Sequence, residues 1–203
     1  MAHSFDNALI VFVKNKIRGQ VKTRLAKDVG NDRALDIYSQ LLGILQKQVW
    51  KLQIPVFVYF SHYTESSGEW GGSNVFPSIQ LGNDLGEKMA NAFNETLQKA
   101  DKVVIIGSDC PVVTEKTIEN AFSQLDKYDV VLGPSEDGGY YLLGMKNYYS
   151  FLFSDIHWST AAVLDETCRK IKENGLTFML LETFRDVDDI TDYNYYSSLG
   201  ILT

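Results

Sequence analysis

The chain has 203 residues, 45% hydrophobic and 22% charged, an ordinary globular composition that excludes a fibrous or low-complexity protein. Its 19 Lys and Arg against 26 Asp and Glu leave a net charge of −7, which argues against nonspecific binding to a nucleic-acid backbone. The longest apolar run, Ala8 to Val13, falls far short of the roughly 20 residues that cross a bilayer, no basic leader precedes it, and Cys110 and Cys168 lack CxxC spacing. A cytoplasmic single domain with no membrane span, no disulfide framework and no zinc site is expected.

In chain order, Ala8 to Val13 reads as a parallel strand buried on both faces. Asn31 is placed to cap a helix whose apolar positions Leu35, Tyr38, Leu42, Leu45 and Val49 recur every three or four residues. Pro55 to Phe60 is the second strand, residues 61–74 with Ser66, Ser67, Gly68, Gly71 and Gly72 a loop, and Val75 to Leu81 a short strand. A helix follows from Leu85 to Ala100 with Met89, Phe93 and Leu97 on one face, then a strand from Lys102 to Ile106. Thr114 caps a helix to Leu125, and Asp129 to Leu132 and Tyr140 to Leu143 are strands. Ser159 caps a helix that Gly175 closes, Phe178 to Leu181 is the last strand, and Ile190 to Leu199 the last helix. Seven strands alternating with five helices predict one three-layer α/β domain, spanning residues 1–203, on a mainly parallel twisted sheet.

The chemistry gathers in four places. The segment after the first strand carries Lys14, Lys16, Arg18, Lys22, Arg24 and Lys27, six basic residues in 14 positions with no acid until Asp28. Such a loop calls for an anion, and Gly19 lets a phosphate approach the backbone. It is not a P-loop, because Val21 stands where GxxxxGK[ST] needs a glycine. Gly107-Ser108-Asp109-Cys110-Pro111 brings a carboxylate off the end of a buried strand, where it either holds Mg²⁺ or shapes a turn. In Asp186-Val187-Asp188-Asp189 two acids two positions apart share a face, to complete a metal site or to cap the last helix.

Finally, Glu136-Asp137-Gly138-Gly139 offers acceptors for sugar hydroxyls or a general base, in a pattern that also makes a hairpin turn. Two lesser segments are Leu81-Gly82-Asn83-Asp84-Leu85-Gly86-Glu87, which can wrap a base or ribose or start a helix, and His157-Trp158-Ser159-Thr160, which can line the acceptor side or join the core.

Six of these blocks occur in one order: Lys14 with Gly19-Gln20-Val21-Lys22-Thr23-Arg24, Asp84-Leu85-Gly86-Glu87-Lys88, Gly107 to Pro111, Gly133 to Tyr141, Trp158-Ser159-Thr160 and Asp186-Val187-Asp188. Over residues 9–192 the chain resembles the small bacterial GT-A-fold transferases described as glycosyltransferase-like or as radical-SAM and selenodomain-associated transferases, within the nucleotide-diphospho-sugar transferase superfamily. Lys16 replaces that family's usual proline, and Lys88 its usual arginine.

The resemblance implies a Mg²⁺- or Mn²⁺-dependent transferase using a nucleotide or nucleotide sugar as donor and a small-molecule acceptor. Lys14, Lys22 and Arg24 would contact phosphates, with Gly19, Thr23, Asp84, Gly86 and Ser108 completing the donor side. Asp109 and Asp188 would hold the metal. Glu136, Asp137, Gly138, Gly139, Trp158, Ser159 and Thr160 would face the second substrate, with Lys22, Arg24, Asp109 and Asp137 carrying the reaction. Because the chain lacks the GGxSxRxG first loop of the superfamily's nucleotidyltransferases, glycosyl transfer is the leading expectation. Nucleotidyl transfer and a non-catalytic nucleotide-binding module are the alternatives.

Overall fold

In the computed structural model, β1 (Phe5–Val13) is buried almost throughout from Ala8 onward. Residues 4–64 and 70–203 are described, so Ser66, Ser67 and Gly68 of the expected loop lie outside them. After β1 come α1 (Ala26–Val29), α2 (Asn31–Val49), β2 (Val56–Phe60), β3 (Val75–Ile79), α3 (Leu85–Thr96) and β4 (Ala100–Ile106). Then follow α4 (Glu115–Gln124), β5 (Val130–Pro134), β6 (Tyr140–Met145), a short 3-10 turn (Ser150–Leu152), α5 (Val163–Glu173), β7 (Phe178–Leu180) and α6 (Ile190–Ser198).

The strands form one sheet in the order β3-β2-β1-β4-β6-β5-β7. All neighbours are parallel except β6, which runs antiparallel to both β4 and β5. The expected mainly parallel α/β domain is therefore what forms. Alternation along β1 sorts its side chains between two cores: Leu9, Val11 and Val13 join α2, α4 and α6 on one face, and Ala8 and Ile10 join α3 and α5 on the other. Burial on both sides explains the continuous apolar run.

Three local expectations change. Asn31 is the first residue of α2 rather than its cap, because the unpredicted single turn α1 ends at Gly30, whose φ of 81° redirects the chain. The helix from Leu85 stops at Thr96, since Ala100 already pairs with Phe5 in the sheet. Ser159 caps nothing: α5 starts at Val163, where the first turn of the helix is tied to the β5–β6 hairpin by a bond from Leu164 N to Gly138 O at 2.9 Å. Thr114 does cap α4, in a reciprocal box with Thr117. Gly175 follows α5 with φ 68°, as a helix stop should.

Candidate active site

The C-terminal ends of the parallel strands are where an open α/β sheet leaves a crevice. Here the crevice is a cavity of about 590 Å³, lined from the loop after β1, the turn after β4, the β5–β6 hairpin, the loop before α5 and the segment before α6. The loop after β1 is basic yet not loose, because Val21 and Leu25 are buried in the core on either side of its centre. Between them Lys22 takes a left-handed backbone, φ 47°, which a side chain adopts only where the surroundings enforce it.

That conformation turns Lys22 inward. Its side chain is only 4% exposed, and Nζ lies 2.5 Å from Asp109 Oδ1 and 3.6 Å from Asp188 Oδ1. Arg24 is by contrast 69% exposed, with its guanidinium 3.8 Å from Asp188 Oδ2. Lys14 and Thr23 also line the cavity. Gly19 (φ 78°) makes a turn against Asn31. Arg18, in the same basic run, is satisfied locally by Asp32.

The acids arrive from two segments tied together. Val187 is buried and its N–H donates to the Asp109 carbonyl at 2.9 Å, leaving Asp186 and Asp188 both on the cavity wall. Asp189 caps α6 by accepting from the Thr191 and Asp192 amides, which frees Asp188 from that duty. Asp186 Oδ1 is buried with no hydrogen-bond partner. Burial, and after it Asp109, Asp137 and Asp188 against the opposing Lys22, push the Asp186 carboxyl up to about 7.

On the hairpin, Asp137 lines the cavity while its Oδ1 accepts from Gly139 N at 2.9 Å, so the turn and the candidate acceptor group are the same residue. Gly139 is on the wall. Gly138 (φ 88°) backs onto the loop before α5, where a Cβ would lie 2.2 Å from Ala161 O. Glu136 is held by Arg185, at 2.6 and 2.7 Å. Asp84 accepts from Glu87 N at 2.8 Å as the cap of α3.

Gly86 and Trp158, distant in sequence, form one contact, for a Cβ on Gly86 would fall 2.2 Å from the indole nitrogen. Trp158, Ser159 and Thr160 line the cavity, Ser159 again left-handed at φ 64°. Leu85, Met89 and Val163 extend this wall, so the cavity has one charged and one apolar side.

Among the lining residues absent from the sequence-based site, two make hydrogen bonds that shape the cavity. Tyr38, read as a core position of α2, accepts from Lys14 N at 2.8 Å, and its hydroxyl is 3.1 Å from Ser108 Oγ. A tyrosine on an apolar stripe was the available signal, since a buried hydroxyl seeks a partner. Gln80 donates to Val13 O and Tyr59 O at 3.1 and 2.9 Å, joining the ends of β1 and β2. No local pattern marks it.

The cavity wall carries Lys14, Lys22 and Arg24 against Asp109, Asp137, Asp186 and Asp188, an excess of one acid. With the Asp186 carboxyl pushed up to about 7 the wall has no excess of positive charge, so a phosphate-bearing ligand is drawn to it more strongly when a further cation comes with it. Oxygen donors and an unpartnered carboxylate oxygen suit Mg²⁺ or Mn²⁺. Among the described residues no three His, Cys, Asp or Glu are grouped as a ready cage. The residues thus fit an ion held by one or two carboxylates and completed by phosphate and water.

Comparison with known proteins agrees with this architecture. Residues 44–160 match the family model described as "Uncharacterized protein conserved in bacteria (DUF2064)". The crystal structure of a "putative nucleotide-diphospho-sugar transferase" from Desulfovibrio desulfuricans G20 is similar at 31% identity and a TM-score of 0.88, over 96% of this chain and 87% of that one. The 2-phospho-L-lactate guanylyltransferase of Methanocaldococcus sp. (strain FS406-22) is 24% identical over 193 residues, 89% of this chain and 83% of that protein. The 4-diphosphocytidyl-2C-methyl-D-erythritol synthase of Anaerococcus prevotii DSM 20548 shares the fold at a TM-score of 0.63 and 8% identity, over 97% and 96% of the two chains. The chain has a nucleotide-dependent transferase fold, and among the described residues no helix is long and apolar enough to cross a membrane.

Proposed function

This chain belongs to the DUF2064 family of bacterial proteins, and from that premise we propose that it is a nucleotidyltransferase that moves a nucleoside monophosphate from a nucleoside triphosphate onto an anionic acceptor. The observation that carries the reading is the meeting of Lys22, Arg24, Asp109 and Asp188 at the C-terminal sheet edge. The similarity to a guanylyltransferase over 89% of the chain supports nucleotidyl transfer ahead of the glycosyl transfer favoured by motifs alone.

In this reaction an acceptor oxygen attacks the α-phosphorus, the new O–P bond forms, and the bond to the bridging oxygen breaks with its electron pair leaving on pyrophosphate. Lys14, Lys22 and Arg24 bind phosphate oxygens, the guanidinium as a planar fork and the ammonium groups as point charges. Thr23 and Ser108 border the same side of the cavity. Asp109 and Asp188 would hold Mg²⁺ or Mn²⁺, which when bound neutralises phosphate charge. A phosphorylated or carboxylated acceptor is already a nucleophile, so no protein base is required, and Asp137 would orient it by accepting from a hydroxyl elsewhere on the acceptor. Gly139, Trp158, Ser159 and Thr160 shape the acceptor side.

A second reading is favoured by the name of the 31% identical relative. Transfer from a nucleotide sugar would break the sugar–phosphate bond, release a nucleoside diphosphate and use Asp137 as base. The test is thermal unfolding with ATP, GTP, CTP, UTP and their diphosphate sugars, with and without Mn²⁺, then identification of the released product. A ligand at about 100 times its Kd adds roughly 2.7 kcal/mol of stability. Pyrophosphate release supports the first reading and nucleoside diphosphate the second; no stabilisation by any nucleotide overturns both.

A further inference from the structure

Lys22 sits where the site needs a cation. Its ammonium bridges Asp109 and Asp188 at 2.5 and 3.6 Å, with the side chain only 4% exposed. A buried charge persists only when paired, and this one is brought to its partners by a left-handed backbone held between buried Val21 and Leu25. Arg24, its neighbour in the loop, reaches only Asp188, at 3.8 Å, and stays 69% exposed. Beside them Asp186 Oδ1 has no partner at all. One cation is thus enclosed among more acceptor oxygens than it satisfies.

We propose that Lys22 is an internal counter-ion, holding the divalent-cation position in the free protein and giving it up when a phosphate-bearing ligand arrives, so that metal and nucleotide bind together and neither binds well alone. The inference rests on the nucleotide-transferase reading of the site. A divalent ion and the Lys22 ammonium cannot share Asp109 and Asp188, because like charges a few ångströms apart in a partly buried cavity repel strongly. Lys22 therefore moves before the ion takes its full set of ligands. A displaced ammonium in that enclosed position requires a new anion, and a nucleotide phosphate supplies one. The consequence is reciprocal coupling: each ligand raises the affinity of the other by the same factor.

The experiment is Mn²⁺ titration of the full chain followed by electron paramagnetic resonance of the free ion, alone and with GTP or CTP, corrected for the metal–nucleotide complex in solution. For the wild type, weak binding of Mn²⁺ alone and a gain within the range of about 5- to 150-fold with a bound nucleotide are expected. Lys22→Met should bind Mn²⁺ alone at least about tenfold more tightly than wild type and lose most of the nucleotide-dependent gain. Lys22→Arg, which keeps the charge, should bind Mn²⁺ alone as weakly as wild type. Should the Met variant fail to fold by circular dichroism, Lys22→Asn, neutral and tolerant of a left-handed backbone, carries the same expectation. A folded neutral variant that binds Mn²⁺ no tighter than wild type overturns the proposal. If wild type binds no nucleotide under any condition, the functional reading fails, and the neutral-variant comparison with Mn²⁺ alone still decides the counter-ion role.

Discussion

The two ends of the sheet solve the same electrostatic problem in opposite ways. At the N-terminal end, Asp129 and Asp126 are closed by partners of the chain itself. Asp129 accepts from Thr177 N and Oγ1 at 2.9 and 2.7 Å with Lys146 at 3.4 Å, and Asp126 pairs with Lys102. At the C-terminal end, Asp109, Asp137, Asp186 and Asp188 crowd one cavity, Asp186 has an unpartnered oxygen, and Lys22 and Ser159 hold left-handed backbones. Unsatisfied and strained groups persist where the rest of the fold over-determines them, and a ligand is what such groups await.

Two glycines at opposite ends measure that difference most directly. Gly138 and Gly175 both have positive φ, 88° and 68°, but a Cβ at Gly138 meets Ala161 O at 2.2 Å whereas at Gly175 nothing lies within 4 Å. Gly138→Ala combines backbone strain with overpacking and should lower stability by about 2–4 kcal/mol. Gly175→Ala should lose about 1 kcal/mol through its backbone alone. Urea unfolding of both variants checks this, and equal losses would mean that the hairpin and the loop before α5 are not tightly docked.

Paired acids give the next comparison. Asp109→Asn should weaken Mn²⁺-dependent nucleotide binding by about tenfold or more and, because it takes the nearer charge from buried Lys22, lower stability as well, as isothermal calorimetry and thermal unfolding would register. Asp129→Ala should lower stability by about 1–2 kcal/mol and leave binding unchanged. The Thr177 amide and then its hydroxyl, aided by Lys146, hold the Asp129 carboxyl below its ordinary value. A depressed carboxyl stabilises the fold above its unfolded pKa, about 3.9, and loses that contribution as pH falls through the folded value. The stability gap between wild type and Asp129→Ala should therefore narrow on acidification. A gap independent of pH would assign the effect to lost packing.

Legibility follows the range of the interactions. The two-sided burial of β1, the Thr114 cap and the shared face of Asp186 and Asp188 were readable because each depends on residues a few positions apart. The hairpin at Asp137 was readable as a turn and as a candidate site, and in the structure it is a turn whose aspartate lines the cavity. The fate of the basic loop was not. Its charge announces a need for anions, yet the anions nearest Lys22 belong to Asp109 and Asp188, brought there only by the closed fold. The same holds for Trp158 against Gly86, whose contact joins α3 to the loop before α5. Four-residue α1 was missed because one turn carries no periodicity.

The two arginines of the basic loop give the smallest and sharpest contrast. Arg18 makes an ion pair with Asp32 in which both side chains are well exposed, 63% and 78%, a geometry that closes the charge locally and asks nothing of a ligand. Arg24 is as exposed but stands at the cavity wall, 3.8 Å from Asp188, beyond the range of a good hydrogen bond and free to turn toward a phosphate. Arg24→Lys keeps the charge and removes the planar fork, so nucleotide affinity in the presence of Mn²⁺ should fall by a few-fold to about tenfold. Arg18→Lys should leave it unchanged. Raising the salt concentration should reduce affinity in both variants alike if Arg24 acts only as a point charge, and the difference between Arg24→Lys and wild type should survive high salt if the fork makes directed bonds. Indistinguishable affinities for wild type, Arg18→Lys and Arg24→Lys would reduce the loop to a diffuse basic surface and leave Lys22 as its one specific cation.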